Sequence, residues 1–369
     1  MAEPFKNQLG ESRIRIIASH LKRIQKAFPE SEFLDDALDN LDDLSLMERS
    51  RQIVQCFERY LPNEFTQASD ILLKAMSPED KQEDEHGIHS WLAVPVAEFL
   101  GKNGLHEFDV AMDALARVTP YFSSEWGIRY LLDHHQDKSL ELLTQWCEHP
   151  HEHVRRLVSE GSRPRLPWGF QLKAFIQDPT LTYPLLEKLR DDESDYVRLS
   201  VANHLNDISK DHPDWLQQQL VGWMDLDNPQ RMKLIRHACR TLIKQGHEPT
   251  LKMLGYDRFD VENVHLSLID ESVRYGDGLN FELSFCGPKG QPMILDYAIH
   301  FKKSDGTLSP KVFKWKATDL PKSGNFKGKK KHVIKPITTR RYYNGNHELE
   351  ILLNGVSIAK QPFELTGVE

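Results

Sequence analysis

Two similar stretches in the middle of the chain decide the fold: EHPHEHVRRLVSEGSRPRL at residues 148–166 and DDESDYVRLSVANHLNDISKDHP at residues 191–213. Each begins with an acidic or polar turn and continues with a Val-Arg pair, followed by apolar residues at helical spacing. The two valines, Val154 and Val197, lie 43 residues apart, and a looser third copy begins near Asp225. The pattern indicates a repeating helical unit.

A spacing of 43 residues is within the period of HEAT-type repeats, in which pairs of helices stack side by side. Such stacks form a superhelix whose inner helices line a concave surface suited to an extended partner. An acidic turn followed by a helix is also a common local motif, so coincidence is the alternative interpretation. The helix-turn setting shared by both copies favours the repeat.

The period of the apolar residues changes at about residue 257. Before that point, segments such as 12–28 and 46–61 carry apolar residues at three- and four-residue intervals, which predicts amphipathic helices. After it, short segments such as FELSF (281–285) alternate apolar and polar residues, and turn residues separate these segments. We therefore predict a multidomain protein, α then β, with an all-α HEAT-like repeat superhelix at 1–257 and an antiparallel β-sandwich of about seven strands at 258–369.

The composition is that of a soluble globular protein, since 39% of the residues are hydrophobic and 28% are charged. No run of about 18 apolar residues predicts a membrane span, and the N-terminal segment lacks the apolar core of a signal peptide. The four cysteines are too few and too scattered for a disulfide framework, which fits a reducing compartment. We expect a cytoplasmic monomer without a membrane partner.

The distribution of charge is more informative than its total of −8. From residue 258 onward the chain has 17 Lys and Arg residues against 13 Asp and Glu, a net charge of +4. The first 257 residues have 30 Lys and Arg residues against 42 Asp and Glu, a net charge of −12. A nucleic acid would therefore have to meet local basic stripes, because the average field of the helical part repels it.

Such stripes are predicted on the helices, where residues three or four positions apart share a face. The stripes combine carboxylates with cations: His153, Arg156, Glu160 and Arg163; Asn203, Asp207 and Lys210; Arg236, Arg240 and Lys244; and Glu125 with Arg129. Mixed charges at this spacing are ordinary on a soluble helix. Stacking of the repeats, however, is expected to bring Glu125, Glu160 and Asp207 close together inside a basic rim.

Grouped carboxylates are unfavourable for binding a polyanion unless they act on something positive. Hydrolysis of an N-glycosidic bond passes through an oxocarbenium-like sugar cation, which a carboxylate stabilises electrostatically or by aligning and deprotonating water. A base alkylated on a ring nitrogen is already cationic and leaves easily, so strong general-acid assistance is not required. A carboxylate also attracts such a base in preference to neutral ones.

The stretches WCEHPHEHVRRLVSEGSRPRLPW (146–168) and YVRLSVANHLNDISKDHP (196–213) resemble the AlkC branch of the HEAT-like repeat DNA alkylation-repair glycosylases. The N-terminal helices resemble this family more loosely, and residues 258–369 look like the immunoglobulin-like extension of a subset of its members. The resemblance implies a bacterial DNA glycosylase of base excision repair. Such an enzyme removes 3-methyladenine and related cationic adducts such as 3-methylcytosine from double-stranded DNA, without full base flipping.

The resemblance also implies roles for single residues. The acidic positions around the lesion correspond to Glu125, Glu160 and Asp207, which are the expected catalytic residues. Trp168 is expected to pack against the deoxyribose, whereas Trp126 is expected in the core. By this resemblance Arg156, Arg163 and Lys210 are expected to hold DNA phosphates. Arg240 is expected to bind DNA because of its place in the third stripe.

The strongest basic run of the chain begins at Lys327 and includes Lys329, Lys330 and Lys331. A run of this kind is usually a solvated loop. In a two-domain enzyme acting on DNA it could instead clamp the phosphate backbone, which adds salt-dependent affinity without sequence preference. We predict such a clamp.

No metal or cofactor is expected. Cys147 is followed by His149, His151 and His153, but no second ligand pair at zinc-site spacing follows, and no phosphate-cradling Gly-rich loop is present. Two other functions remain open: a non-catalytic HEAT-repeat scaffold that binds a protein in its groove, and a sensor that binds alkylated DNA without cutting it. A pure sensor does not need carboxylates that activate water, and salt-dependent DNA binding separates both DNA hypotheses from the scaffold.

Overall fold

The computed structural model describes residues 4–78, 80–337 and 340–368. Within these residues the chain forms sixteen α-helices followed by eight β-strands. The helices are α1 (Glu11–Ile24), α2 (Glu30–Leu38), α3 (Leu46–Tyr60), α4 (Phe65–Ala75), α5 (Ala93–Asn103), α6 (Phe108–Val118), α7 (Ile128–His134), α8 (Gln136–Trp146), α9 (Glu152–Gly161), α10 (Lys173–Gln177), α11 (Tyr183–Leu189), α12 (Asp195–Ile208), α13 (Pro213–Val221), α14 (Pro229–Ala238), α15 (Arg240–Gln245) and α16 (Glu248–Met253). The strands are β1 (Glu262–Leu268), β2 (Ser272–Arg274), β3 (Gly278–Cys286), β4 (Pro292–Lys302), β5 (Leu308–Asp319), β6 (Asn325–Val333), β7 (Gly345–Leu353) and β8 (Val356–Thr366).

The order of these elements confirms the predicted fold class, helices followed by a β-sandwich. Among the described helices, none has the length and apolar character needed to cross a bilayer. The chain divides into two compact units: Met1–His212 with Asp225–Ala238, and Pro213–Met224 with Cys239–Glu369.

The first unit is helical and is built on the repeat recognised in the sequence. Val154 lies on α9 and Val197 on α12, and both side chains are buried. Helix α12 packs against both α9 and α14, as stacked repeats require. The predicted apolar faces are buried: Val154, Leu157 and Val158 on α9, and Val197, Val201, Leu205 and Ile208 on α12.

None of the four predicted stripes lies on a single helix, since α9 ends before Arg163 and α12 ends before Lys210. Helix α14 ends at Ala238 and α15 begins at Arg240, so Arg236 and Arg240 lie on different helices. Glu125 lies in the turn before α7 and not on the helix that carries Arg129. Each stripe therefore spans one end of a helix, and the apolar pattern alone does not mark that boundary.

A direct backbone contact fixes the turn that carries Glu125. A Cβ atom on Gly127 would lie 2.0 Å from the carbonyl oxygen of Ala97, and one on Gly101 would lie 1.9 Å from that of Gly127. Because no side chain larger than hydrogen fits, the turn before α7 packs closely on α5. The position of Glu125 is therefore set by this contact.

The second unit contains α13, α15, α16 and the sandwich. One sheet has the strand order β1-β3-β6 and the other β2-β8-β7-β4-β5, with β2 parallel to β8 and the remaining pairs antiparallel. The alternation predicted for FELSF (281–285) is present, because Phe281, Leu283 and Phe285 are buried in the core between the sheets.

The central strand β4 is buried on both faces, because Ile294 and Asp296 are as inaccessible as Met293 and Leu295. Helices α15 and α16 belong to the same compact unit as the sheet. The turn at Gly246 after α15 meets the β7–β8 turn, where a Cβ on Gly355 would lie 2.5 Å from the Gly246 Cα. Helices thus change to strands between α16 and β1, close to the predicted division at residue 257, while the compact unit begins earlier in the chain.

The basic run that begins at Lys327 is a strand and not a solvated loop. It forms β6, which pairs with β3 at the edge of the three-stranded sheet. The pleat exposes Lys327, Lys329 and Lys331 on one face, while Lys330 points to the opposite face and is half-buried. Three of the four lysines of β6 therefore point to the same side of the sheet, where one partner could contact all three.

Candidate functional site

A cavity of about 410 Å³ lies in the helical unit, where the turn before α7 meets α9 and the loop that follows α9. It is lined by three charged residues, Glu125, Arg156 and Glu160. Aromatic residues form most of the remaining lining: Trp91, Tyr121, Phe122, Trp126, Trp168 and Tyr196. A small charged group surrounded by aromatic surface is the usual composition of a ligand site.

Acidic and basic side chains alternate from this cavity into the protein. We call the following residues the charge chain: Glu125, Arg156, Glu160, Arg163, Asp207 and Lys210. At its cavity end, Arg156 is ion-paired with Glu125 and donates to Ser123 Oγ at 2.6 Å. The other terminal nitrogen of Arg156 lies 3.5 Å from a Glu160 oxygen.

The inner half of the charge chain connects two repeats. Arg163 donates through Nη1 to Glu160 at 2.6 Å and through Nε to Asp207 at 2.8 Å. Glu160 is on α9 and Asp207 on α12, so one guanidinium bridges adjacent repeats. Lys210 Nζ donates to the second Asp207 oxygen at 2.7 Å. The structure thus brings the three predicted carboxylates into one network.

Burial and charge act differently on the two glutamates of the cavity. Burial raises the pKa of Glu125, and the Glu160 charge adds to this, against the opposing effect of Arg156. At Glu160, burial alone would also raise the pKa, but Arg156, Arg163 and a 2.6 Å hydrogen bond from Ser200 Oγ outweigh it. The net pKa of Glu160 is lowered. Neighbouring acids whose pKa values are shifted in opposite directions are typical of catalytic pairs.

The two arginines of the charge chain face carboxylates. Only 14% of the Arg156 side chain and 9% of the Arg163 side chain is exposed, and both donate to buried acids. This geometry favours a role in holding Glu125, Glu160 and Asp207 over the phosphate contacts expected from the sequence. Lys210 is 42% exposed and can still reach an external partner.

The remaining predicted cations lie in the other compact unit. Arg240 begins α15, and Lys329, Lys330 and Lys331 lie on β6. Lys329 is ion-paired with Glu282 on the neighbouring strand β3.

Trp168 is 57% exposed and has a φ of +64°, in the left-handed region that non-glycine residues rarely adopt. Its ring centroid is 6.4 Å from that of Trp126, and the two rings are nearly parallel. Trp126 is buried against Val94 and Leu166, and it also lines the cavity and donates to the Pro167 carbonyl at 3.1 Å. Trp126 is therefore both a core residue, as expected, and part of the site.

Arg129 fixes the loop that carries Trp168. Its guanidinium is fully buried and donates to the carbonyl oxygens of Gly161 at 3.0 Å, Arg163 at 2.7 Å and Phe170 at 2.9 Å. These acceptors lie on both sides of Trp168 in the sequence. Arg129 therefore binds the main chain of this loop and not Glu125, with which it was grouped in the predicted stripe. The cation paired with Glu125 is Arg156.

Sequence reasoning missed four aromatic residues of the site, Trp91, Tyr121, Phe122 and Tyr196. Tyr196 packs under Arg156, with the guanidinium carbon 5.1 Å from the ring centroid. A usable signal was the density of aromatic residues around Glu125, in PYFSSEW (120–126). Trp91 lies too far away in the chain for any local pattern to reveal it.

Among the residues that the structure describes, the group with metal-binding spacing is Glu83, Glu85 and His86, which lies outside the cavity. The rings of His149 and His151 accept hydrogen bonds from the backbone N–H groups of His151 and His153. These histidines therefore stabilise the turn before α9.

We expect Arg163→Gln to lower the free energy of unfolding by about 3–5 kcal/mol, because it leaves Glu160 and Asp207 buried with one cation fewer. The matched control is Arg165→Gln, two residues away. Arg165 pairs with Asp211 near the surface, where the side chain is 30% exposed, and its loss should cost about 1 kcal/mol or less. Urea denaturation measures both. A loss of about 1 kcal/mol or less for Arg163→Gln, as for the control, would show that the Arg163 bridge does not stabilise the fold.

Comparisons with known proteins agree with the fold. A family model described as "DNA alkylation repair enzyme" matches residues 122–242, and one described as "Uncharacterised protein YhaZ, C-terminal Ig-like domain" matches residues 262–367. The uncharacterized protein YhaZ of Bacillus subtilis (strain 168) is 36% identical over 353 residues, 95% of this chain and 96% of that protein.

A similar solved structure is that of Pseudomonas fluorescens alkylpurine DNA glycosylase AlkC bound to DNA containing an abasic site analog. It matches with a TM-score of 0.91 and 33% identity, and the match covers 99% of this chain and 100% of that one. The chain therefore belongs to the AlkC-like family of DNA alkylation repair enzymes with a C-terminal immunoglobulin-like domain.

Proposed function

We propose that the protein is a DNA glycosylase that hydrolyses the N-glycosidic bond of 3-methyladenine and 3-methylcytosine in double-stranded DNA. The observation that carries this proposal is the charge chain, whose acidic end opens into an aromatic-lined cavity. The AlkC relative is named as an alkylpurine DNA glycosylase and was solved bound to DNA. Both support hydrolysis of a cationic nucleotide at this cavity.

Glu160 has the properties of an electrostatic stabiliser. Its lowered pKa keeps it ionised at neutral pH, and it lines the cavity. A fixed negative charge in a water-poor site stabilises the oxocarbenium-like sugar more strongly than the same charge in water. A carboxylate with a lowered pKa is, in turn, a weak proton acceptor.

Glu125 is the better candidate for accepting a proton from the attacking water, because its pKa is raised towards the working pH. Asp207 is not among the lining residues of the cavity, and both of its oxygens accept from cations, Arg163 and Lys210. We assign Asp207 as a positioning residue that holds Arg163 against Glu160.

The openness of the site supports action without full base flipping. Trp168 is exposed, and its indole, packed beside that of the buried Trp126, offers an apolar surface to a deoxyribose that remains in the duplex. A base rotated out of the helix would need an enclosing pocket, which a rim of exposed aromatic side chains does not supply.

Replacement of Glu160 tests the proposal. We expect Glu160→Gln, which removes the charge at nearly constant shape, to slow release of 3-methyladenine from methylated duplex by at least about 10²-fold with similar DNA affinity. The control is Glu152→Gln, an exposed residue on the same helix. Chromatography of released base and a binding assay measure the two properties.

The outcomes of that experiment separate the role of Glu160 from the function of the protein. Full release by the Glu160→Gln protein would remove Glu160 from the chemistry. Wild-type protein that binds alkylated duplex but releases no base would be a lesion sensor. Protein that neither binds DNA in a salt-dependent way nor releases base would be a scaffold.

The role of Glu125 predicts a pH dependence. Because the ionised form accepts the proton and burial raises the pKa of Glu125 above the usual carboxyl range, the rate of release should fall as the pH drops through that raised pKa. Glu125→Gln should lose this acidic limb as well as most of the rate. Single-turnover release from pH 4.5 to 8, corrected for release without protein, measures the profile. A limb that persists unchanged in the variant would assign it to another group.

A clamp by the sandwich predicts a change in salt dependence. Replacing Lys327, Lys329 and Lys331 by Ala should reduce the slope of log affinity against log salt by about 0.9 for each phosphate that these lysines neutralise in the wild-type complex. The matched control is Lys330→Gln on the opposite face of β6, which should change the slope less. An unaltered slope in the triple variant would show that this strand does not contact DNA.

A further inference from the structure

The N-terminal 3₁₀ helix Phe5–Leu9 carries an exposed aromatic side chain to the rim of the cavity. Phe5 is 51% exposed, yet its ring centroid lies 5.0 Å from that of Trp91, edge to face, and 5.9 Å from that of Trp168. Both tryptophans line the cavity. Phe5 therefore extends the aromatic surface of the site, although it is more than 80 residues away in the sequence from the other aromatic residues of the cavity.

The 3₁₀ helix is anchored firmly. The Arg49 guanidinium, which is 1% exposed, donates through Nη1 to the carbonyl oxygens of Lys6 at 3.1 Å and Leu9 at 3.3 Å. Its Nε donates to the carbonyl oxygen of Leu44 at 3.3 Å, and the Leu9 side chain is fully buried. Because these contacts fix the backbone on which Phe5 stands, its ring has a defined place beside Trp168.

Trp168 needs such support. Its backbone is in the left-handed region and more than half of its surface is exposed, so packing alone holds its indole weakly. Trp91 and Trp126 contact it at centroid distances of 6.2 and 6.4 Å, and Phe5 adds the nearest ring at 5.9 Å. An exposed group of aromatic side chains beside a cavity is typical of a binding surface.

We propose that Phe5 is a positioning residue, which holds the Trp168 indole in the orientation that meets the deoxyribose. The inference rests on the proposed function and adds to it a residue that acts on the reaction only through Trp168. Misplacement of a substrate-contacting group by about 1 Å is enough to slow a reaction strongly. Removal of the Phe5 ring should therefore affect the rate of release more than the affinity for DNA.

A double-mutant cycle tests this role. We expect Phe5→Ala to slow single-turnover release at saturating protein by about tenfold, with little change in DNA affinity or melting temperature. In the Trp168→Ala background, Phe5→Ala should change the rate by no more than about twofold, because the residue through which Phe5 acts is gone. Phe5→Tyr, which keeps the ring, should restore the wild-type rate. An equal loss from Phe5→Ala in both backgrounds would overturn the inference.

A second measurement does not depend on activity. In protein labelled with fluorotryptophan, the ¹⁹F resonance of Trp168 can be identified among the seven tryptophans by its loss in Trp168→Phe. Phe5→Ala should shift this resonance and Phe5→Tyr should leave it nearly in place. An unmoved resonance in Phe5→Ala overturns the inference, whereas wild-type protein that releases no base overturns the proposed function.

Discussion

The guanidinium of Arg163, held between Glu160 and Asp207, is the interaction on which the rest of the site depends. Two buried carboxylates from neighbouring helices repel each other, and each loses its hydration. One planar cation that donates to both removes these costs and joins α9 to α12. The fully buried His204 ring reinforces the same junction, since its Nδ1 lies 2.9 Å from the Ser159 carbonyl oxygen. The acids of the site can therefore exist only where the repeats stack.

The same bridge makes the two glutamates of the cavity unequal. Glu160 has a guanidinium on either side and a hydroxyl donor, so its ionised form is favoured despite burial. Glu125 also has a hydroxyl partner, Ser123, but it has only one guanidinium, Arg156, and feels the charge of Glu160, so burial prevails. The two pKa values differ because of the order of charges along the charge chain, since both side chains are glutamates. Under the proposed function, the carboxylate that stays charged would stabilise the sugar cation, and the one that can exchange a proton would accept it from water.

Local patterns in the sequence identified the alternating strands and the apolar faces of α9 and α12, because each depends on spacing within one element, and the recurrence of the Val-Arg pair identified the repeat. Glu125 lies in a turn, and its grouping with Glu160 and Asp207 comes from the stacking of the repeats and from the family resemblance. The ion pairs could not be obtained from local patterns. Helix α9 ends at Gly161, so Arg163 lies beyond the helix and reaches across to the next repeat. The partner of Glu125 is likewise on another element. The strand β6 was hidden because its edge position lets lysines replace apolar residues, and only its pairing with β3 reveals the alternation.

The order of charges also means that the site adds nothing to the net charge of −12 that the helical part presents to a polyanion. The charge chain contains three acids and three cations, so at distances beyond its own length their fields largely cancel. Close to the cavity the cancellation fails, because Glu125 and Glu160 line it with only one cation, Arg156. A DNA phosphate a few nucleotides from the cavity would therefore meet little repulsion from the site. A cationic sugar or base inside the cavity would meet an excess of negative charge. Under the proposed function, attraction that acts only at short range would select the reacting nucleotide over the rest of the DNA.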